Sequence, residues 1–138
     1  MDFSYSEVQQ MLQDSVQKFV QKSYDFKTRS KIIESDDGYS KENWQLFAEL
    51  GWLAVPFTEE DGGLGGSAVD LIVMMEEFGK ANLVEPFIAT AVLSGGLISE
   101  LGNGERKSEL LERLVTGKLQ LACAYAEMGS RFNLAKVG

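Results

Sequence analysis

The sequence predicts an all-α domain of five to six helices that gives way, near its end, to a single strand. Three observations support this. Apolar residues recur at helical spacing through most of residues 4–115. Ser, Pro and Gly stand where helices would begin and end. The run Leu119-Gln120-Leu121-Ala122-Cys123-Ala124-Tyr125-Ala126 is short, apolar and followed by the polar turn Gly129-Ser130-Arg131-Phe132-Asn133, the pattern of a buried strand.

The first helix opens at Ser4-Tyr5-Ser6-Glu7, a capping box in which Ser4 and Glu7 satisfy end amides reciprocally. Val8, Met11, Leu12, Val16, Phe19 and Val20 then follow at helical spacing, giving about four or five turns. Residues 24–38 are mostly polar and hold the turn signal Asp36-Asp37-Gly38. Ser40 caps a second helix with Trp44, Phe47, Ala48 and Leu50 inward, ended by Gly51. Trp52-Leu53-Ala54-Val55-Pro56 is expected to be extended, and residues 58–66 to form a loop. Ser67 with Asp70 caps a third helix with Val69, Ile72, Val73, Met75 and Phe78 on its apolar face, closed by Gly79. Pro86 suits the first position of a fourth helix, where its missing amide costs little. That helix, to about Leu101, is apolar almost all round, which predicts burial on every side. Gly95-Gly96 within it costs about 1 kcal/mol per residue against Ala, a cost that close approach by a neighbour would offset. After the turn Gly102-Asn103-Gly104, residues 105–115 form a short amphipathic helix with Leu110, Leu111, Leu114 and Val115 inward.

Composition narrows the function. The chain has 138 residues, enough for one domain with a proper core, and a net charge of −8. A nucleic-acid interface needs clustered Lys and Arg, and an anionic membrane surface selects against such acidity. With no His, neither a Ser-His-Asp nor a Cys-His arrangement can be built from this chain. The one cysteine, Cys123, excludes an internal disulfide and the usual structural zinc site, and reads as a small buried hydrophobe. No metal is expected. No signal-peptide pattern and no run of membrane-spanning length is present, so the expected location is cytoplasmic with no membrane insertion.

Four motifs in order carry a family resemblance. Gly51-Trp52-Leu53-Ala54-Val55-Pro56 precedes Glu59-Glu60-Asp61-Gly62-Gly63-Leu64-Gly65-Gly66. Glu76-Glu77-Phe78-Gly79-Lys80 follows. Then come Gly102-Asn103-Gly104-Glu105-Arg106-Lys107 with Leu114-Val115-Thr116-Gly117-Lys118, and finally Ala124-Tyr125-Ala126-Glu127. Together they resemble the acyl-CoA dehydrogenase family, over nearly the whole chain. The resemblance implies that residues 1–117 are the family's helical N-terminal domain and that residues 118–138 begin the middle β-barrel domain, the remainder being absent. It implies an enzyme that oxidises an acyl-CoA thioester between the α and β carbons. A carboxylate removes the α proton, the β hydrogen passes as hydride to FAD, and electrons go on to electron-transferring flavoprotein. The family's catalytic Glu usually lies in the C-terminal domain, so no catalytic residue is expected here and the fragment alone is expected to be inactive. The family tetramer implies a homo- or hetero-oligomer.

Tyr125, Ala126, Glu127 and Ser130 are the residues the resemblance aligns with the flavin edge, Ser130 also with the thioester end. Phe87, Thr90 and Ser94, on the apolar fourth helix, are candidates for the acyl pocket, since polar groups on such a helix need a reason. Core packing is the rival account, because Ser and Thr also bond their own helix carbonyls. Ala126 stands where the family usually has Thr, and Met128 where it has Pro. With the shortened 129–133 turn and Val84-Glu85-Pro86-Phe87, these departures resemble a divergent branch that includes pimeloyl-CoA dehydrogenase small-subunit-like and other heteromeric members, acting on dicarboxylic, branched or steroid-side-chain CoA esters. In that branch two different subunits often assemble and one of them can lack a working active site, so a non-catalytic partner subunit or a stand-alone helical interaction domain is the competing expectation. The Gly62–Gly66 loop is not a phosphate cradle, because Glu59, Glu60 and Asp61 flank it and no Lys follows. Glu76 and Glu77 point to different faces of a helix, one solvated and one structural.

Overall fold

The computed structural model describes residues 4–126 together with 129, 133 and 135. Six α-helices follow in order among the described residues: α1 (Glu7–Ser23), α2 (Phe26–Ile33), α3 (Lys41–Glu49), α4 (Ala68–Ala81), α5 (Gly96–Leu101) and α6 (Gly104–Val115). A π-helical segment, Ile88–Gly95, runs straight into α5, and two 3₁₀ turns, Trp52–Ala54 and Glu59–Asp61, join α3 to α4.

The core is aromatic and draws on almost every element. Phe19 of α1, Trp44 and Phe47 of α3, Trp52 of the first 3₁₀ turn and Phe78 of α4 are all buried, with Phe87 continuing the cluster towards the π segment. Leu111 and Leu114 close it from α6, as their spacing predicts. Ser40 and Ser67 cap α3 and α4 as expected, Ser67 reciprocally with Asp70.

Five local expectations are corrected. The α1 capping box is Ser6 with Gln9, one helical start later than Ser4 with Glu7. The same Ser-x-x-(Glu/Gln) chemistry occurs twice in six residues, and the helix takes the copy nearer its buried stripe; Val8 and Met11 are exposed while Val16 and Phe19 are not. The polar stretch after α1 contains α2, capped by the Asp25 carboxylate accepting from the Thr28 amide at 2.7 Å. That helix buries no residue, so no apolar period announces it. The Trp52 segment is a 3₁₀ turn and not extended. An extended run here would need a partner strand, whereas the turn pairs its own amides: Ala54 N–H donates to Gly51 C=O and Val55 N–H to Trp52 C=O. The inward face of α4 is Val73, Met74, Glu77 and Phe78, with Val69 and Ile72 exposed, a rotation from the predicted stripe. Its C-cap is Asn82 in the left-handed conformation (φ 48°), three residues beyond the end expected at Gly79. Leu83 N–H bonds back to Phe78 C=O in the manner of a Schellman motif.

The glycine loop folds back on the 3₁₀ turn. Leu64, Gly65 and Gly66 amides donate to the carbonyls of Ala54, Phe57 and Val55. A Cβ on Gly63 would lie 2.1 Å from the Phe57 carbonyl oxygen, so only glycine permits this approach. These amides are spent internally, consistent with a turn and not a phosphate cradle.

Asp61 ties this loop to the helices beyond it. Its carboxylate takes the Lys107 ammonium at 2.8 Å and the Ser99 hydroxyl at 2.6 Å. Those two donors hold the Asp61 carboxyl below its ordinary pKa. A depressed folded pKa means the stabilisation is present above the unfolded value and is lost as pH falls through the folded one. Asp61→Asn is therefore expected to cost about 1 kcal/mol at pH 7, the scale of a partly screened charged hydrogen bond. The gap between variant and parent should close as pH falls below about 4. Urea midpoints at the two pH values check this; a gap that persists in acid would mean the bond is not electrostatic.

Residues 119–126 follow α6 without helix, and no strand ladder forms among the described residues. The predicted strand has no partner strand there to complete it.

Candidate functional site

The fourth predicted helix is buried on one side only. Phe87, Thr90, Ala91, Ser94 and Gly95 face the core, while Ile88, Leu93, Leu97 and Leu101 are exposed. Its composition suggests burial all round, and the structure leaves one apolar face open.

The break in helical period sets this division. Ser94 Oγ donates to Ala89 C=O, five residues back, at 2.8 Å across the wide π turn. Such segments occur mostly as short insertions and often at functional sites. At its end Gly95 and Gly96 face opposite ways. A Cβ on Gly95 would fall 2.6 Å from Phe57 Cζ and 3.0 Å from Leu114 Cδ1, so its glycine admits the core. A Cβ on Gly96 would meet nothing within 4 Å.

Gly96 instead opens on a groove of about 660 Å³, lined by Val92, Leu93, Gly96, Leu97, Glu100, Cys123 and Tyr125. Thr90 fixes its second wall. The buried Thr90 hydroxyl donates to Leu121 C=O at 3.0 Å and accepts from Leu121 N–H at 3.2 Å. Two bonds from one side chain thus take the place of a strand partner for Leu121, and hold residues 121–125 alongside the helix. The groove suits an elongated apolar group. Among the described residues Glu100 is the only carboxylate lining it, so these residues form a binding surface without an acid–base pair. Among the described residues no group of three His, Cys, Asp or Glu is placed to hold a metal, and no helix is long and apolar enough to cross a membrane.

The sequence-predicted site residues divide accordingly. Tyr125, 63% exposed, stands at the groove beside Leu93 and Leu97, with exposed Ala126 next to it. Glu127 and Ser130 lie outside the described residues. Phe87, Thr90 and Ser94 are buried behind the groove, Phe87 in edge contact with Phe78.

Sequence reasoning missed the second buried polar centre. Glu85, 5% exposed, accepts from Tyr24 Oη–H and Asn43 Nδ2–H, both at 2.8 Å, and Tyr24 Oη in turn accepts from the Val84 amide. Burial, with Glu85 alongside, pushes the Tyr24 phenol far above its ordinary pKa, so it stays protonated and donating. An acid beside Pro86 in an apolar run was the available signal. Glu77 is also buried, held by Lys80 Nζ at 2.6 Å and Gln13 Nε2 at 3.1 Å, whereas Glu76 is exposed. Both buried carboxylates are satisfied by these contacts and lie away from the groove.

Comparison with known proteins fits this geometry. Residues 6–118 match the model of the acyl-CoA dehydrogenase N-terminal domain. The acyl-CoA dehydrogenase IpdE2 of Mycolicibacterium smegmatis is 34% identical over 108 residues, covering 78% of this chain and 34% of that protein. Among solved structures, the ChsE4-ChsE5 complex from Mycobacterium tuberculosis superposes with a TM-score of 0.83 at 23% identity, over 94% of this chain and 36% of that one. An FAD complex of PigA superposes at 0.72 with 29% identity, over 87% and 32%. The chain thus spans about a third of the length of the relatives it matches. A six-helix domain with an aromatic core, its glycine loop folded on the 3₁₀ turn and one apolar helix face left open, matched by this family's model over 113 of its 138 residues, belongs to the acyl-CoA dehydrogenase family as its N-terminal domain.

Proposed function

We propose that the complete protein is an FAD-dependent acyl-CoA dehydrogenase and that this domain supplies one wall of its acyl site. The open groove over Leu93, Gly96 and Leu97 carries the proposal, because an acyl chain needs an elongated apolar surface beside the flavin. Tyr125 and Ala126 border the ring, and the family resemblance assigns Glu127 and Ser130 to the same contact. Phe87, Thr90 and Ser94 act from behind: Thr90 holds the 121–125 wall, and Ser94 shapes the wide turn that exposes Gly96. FAD, when bound, accepts the two electrons released as the α–β bond becomes a double bond.

The chain's own contribution is binding and exclusion of water. No base here removes the α proton; that carboxylate belongs to a later domain. Residues 118–138 lead into that continuation, towards a β domain. Electrons pass to electron-transferring flavoprotein, and subunits assemble as a homo- or hetero-oligomer. The exposed apolar residues Ile88 and Leu101 are suited to such contacts.

The test is the visible spectrum of the protein expressed from its complete reading frame. A flavin spectrum bleached anaerobically by an acyl-CoA, followed by reduction of electron-transferring flavoprotein, is the expected result. A colourless protein unresponsive to acyl-CoA would sink the reading and leave a non-catalytic partner subunit, in keeping with Ala126 where the family usually carries a hydroxyl.

A further inference from the structure

Residues 119–126 pass alongside the open helix with few bonds to hold them. Among the described residues, their hydrogen bonds to other elements are the two made by Thr90, and both go to Leu121. Thr90 is fully buried. A hydroxyl has one proton to give and can accept in return. Here it gives to Leu121 C=O and takes from Leu121 N–H, the two groups that an extended residue presents on one side. Thr90 therefore selects one residue of the segment, as a residue of a neighbouring strand would.

That selection fixes which side chains meet the helix. Leu121 and Cys123 are half-buried while Ala122 and Ala124 are exposed, the alternation of an extended chain. Cys123 and Tyr125, in step with Leu121, line the groove. The alternate set, Ala122, Ala124 and Ala126, is alanine throughout. A slip of one residue would exchange the two sets and put methyl groups where a thiol and an aromatic ring now stand. A slip of two would carry Tyr125 about 7 Å along the helix.

We propose that Thr90 is a specificity-determining positioning residue: its hydroxyl pins the register of residues 121–125 and so sets the second wall of the acyl groove. This rests on the acyl reading of that groove. Thr90 does not line the groove itself and acts through Cys123 and Tyr125. A wall along an unreacting chain grips it alike before and during reaction, so the pin is read in KM, and the more so the longer the chain.

The experiment measures KM across straight-chain acyl-CoAs of increasing length in the complete protein, with amide hydrogen exchange followed at Leu121. Thr90→Val removes the hydroxyl and keeps the bulk, whereas Thr90→Ser keeps the hydroxyl. Tyr24→Phe is the control for stability: it also deletes a buried hydroxyl that both donates and accepts, at Glu85 and Val84, away from the groove. Thr90→Val should speed exchange at Leu121 about tenfold and raise KM about tenfold on long chains, as loss of a hydrogen bond would. KM on short chains should hold. Thr90→Ser should match the parent, and Tyr24→Phe should leave both readings unchanged. Tyr125→Ala, at an exposed position that folding does not depend on, should reproduce the long-chain loss, and adding it to Thr90→Val should bring little more. A parent-like profile in Thr90→Val or Tyr125→Ala, a KM raised equally at every length, the same change in Tyr24→Phe, or no recovery in Thr90→Ser would overturn the proposal. A parent inactive on every acyl-CoA would sink the acyl reading and this role with it, whereas an active parent with an unchanged Thr90→Val profile would sink this role alone.

Discussion

Phe47→Ala is expected to cost about 3–5 kcal/mol of stability, the range for emptying a fully buried aromatic site. Phe47 is completely buried. Its ring lies 5.3 Å from Phe19 of α1 in an edge contact, 4.9 Å from Trp52 of the 3₁₀ turn and 5.6 Å from Phe78 of α4 in a stack. One side chain therefore joins α3 to three other elements. Each aromatic pair adds about 0.5–1.5 kcal/mol beyond area, and the rings around it are large and mutually braced, so the site cannot collapse. Against a total stability of about 5–15 kcal/mol, such a loss lowers the melting temperature by roughly 10–20 °C. Phe26→Ala is the control: Phe26 is 82% exposed, and its loss should stay within about 0.5 kcal/mol. Thermal melts followed by circular dichroism measure both. A Phe47→Ala melt within a few degrees of the parent would mean that the core is not organised around this ring.

The same cluster shows what the sequence could and could not convey. Phe19, Trp44, Phe47, Phe78 and the Leu111–Leu114 pair are legible because each sits on a helix whose period brings it inward. Caps at Ser40 and Ser67 are legible because a side-chain acceptor at a helix start is a local chemical event. What escapes depends on tertiary demand. The 3₁₀ turn of Trp52 looks like a strand because burial on all sides, and not β pairing, selects its apolar residues. α2 buries nothing, and its signal is confined to Asp25. The phase of α4 is set by Glu77, a charged residue that a hydrophobic period treats as outward until Gln13 and Lys80 are seen to satisfy it. The π segment has no sequence period of its own. It divides one apolar helix into a core face and a groove face, so composition alone gives burial without its direction. Tyr125 lies at the groove, whereas Phe87, Thr90 and Ser94, chosen for polarity or bulk on that helix, lie on the opposite side.

That division yields a paired prediction at adjacent glycines. Gly96→Leu places its side chain in the groove, where a Cβ meets nothing within 4 Å. It also replaces a poor helix former by a good one, so stability should hold or rise by about 0.5–1 kcal/mol. Gly95→Leu drives its first carbon to 2.6 Å from Phe57 Cζ and 3.0 Å from Leu114 Cδ1, and overpacking of this kind costs about 1–3 kcal/mol. The functional effects run the other way round. If the groove receives the acyl chain, the Gly96→Leu side chain occupies the space of about three or four methylenes. At about 0.8 kcal/mol for each, the complete enzyme loses roughly two orders of magnitude in kcat/KM on long acyl chains. Short chains that do not reach Gly96 should be turned over much as before. A spectrum of acyl-CoA lengths assayed on parent and variant, with melts in parallel, separates the outcomes. Selective loss on long chains in a protein at least as stable as the parent assigns the groove to the acyl chain. A stable Gly96→Leu enzyme with the parent's chain-length profile would remove the acyl group from this helix face, and the exposed Leu93 and Leu97 would then serve contact with another part of the assembly.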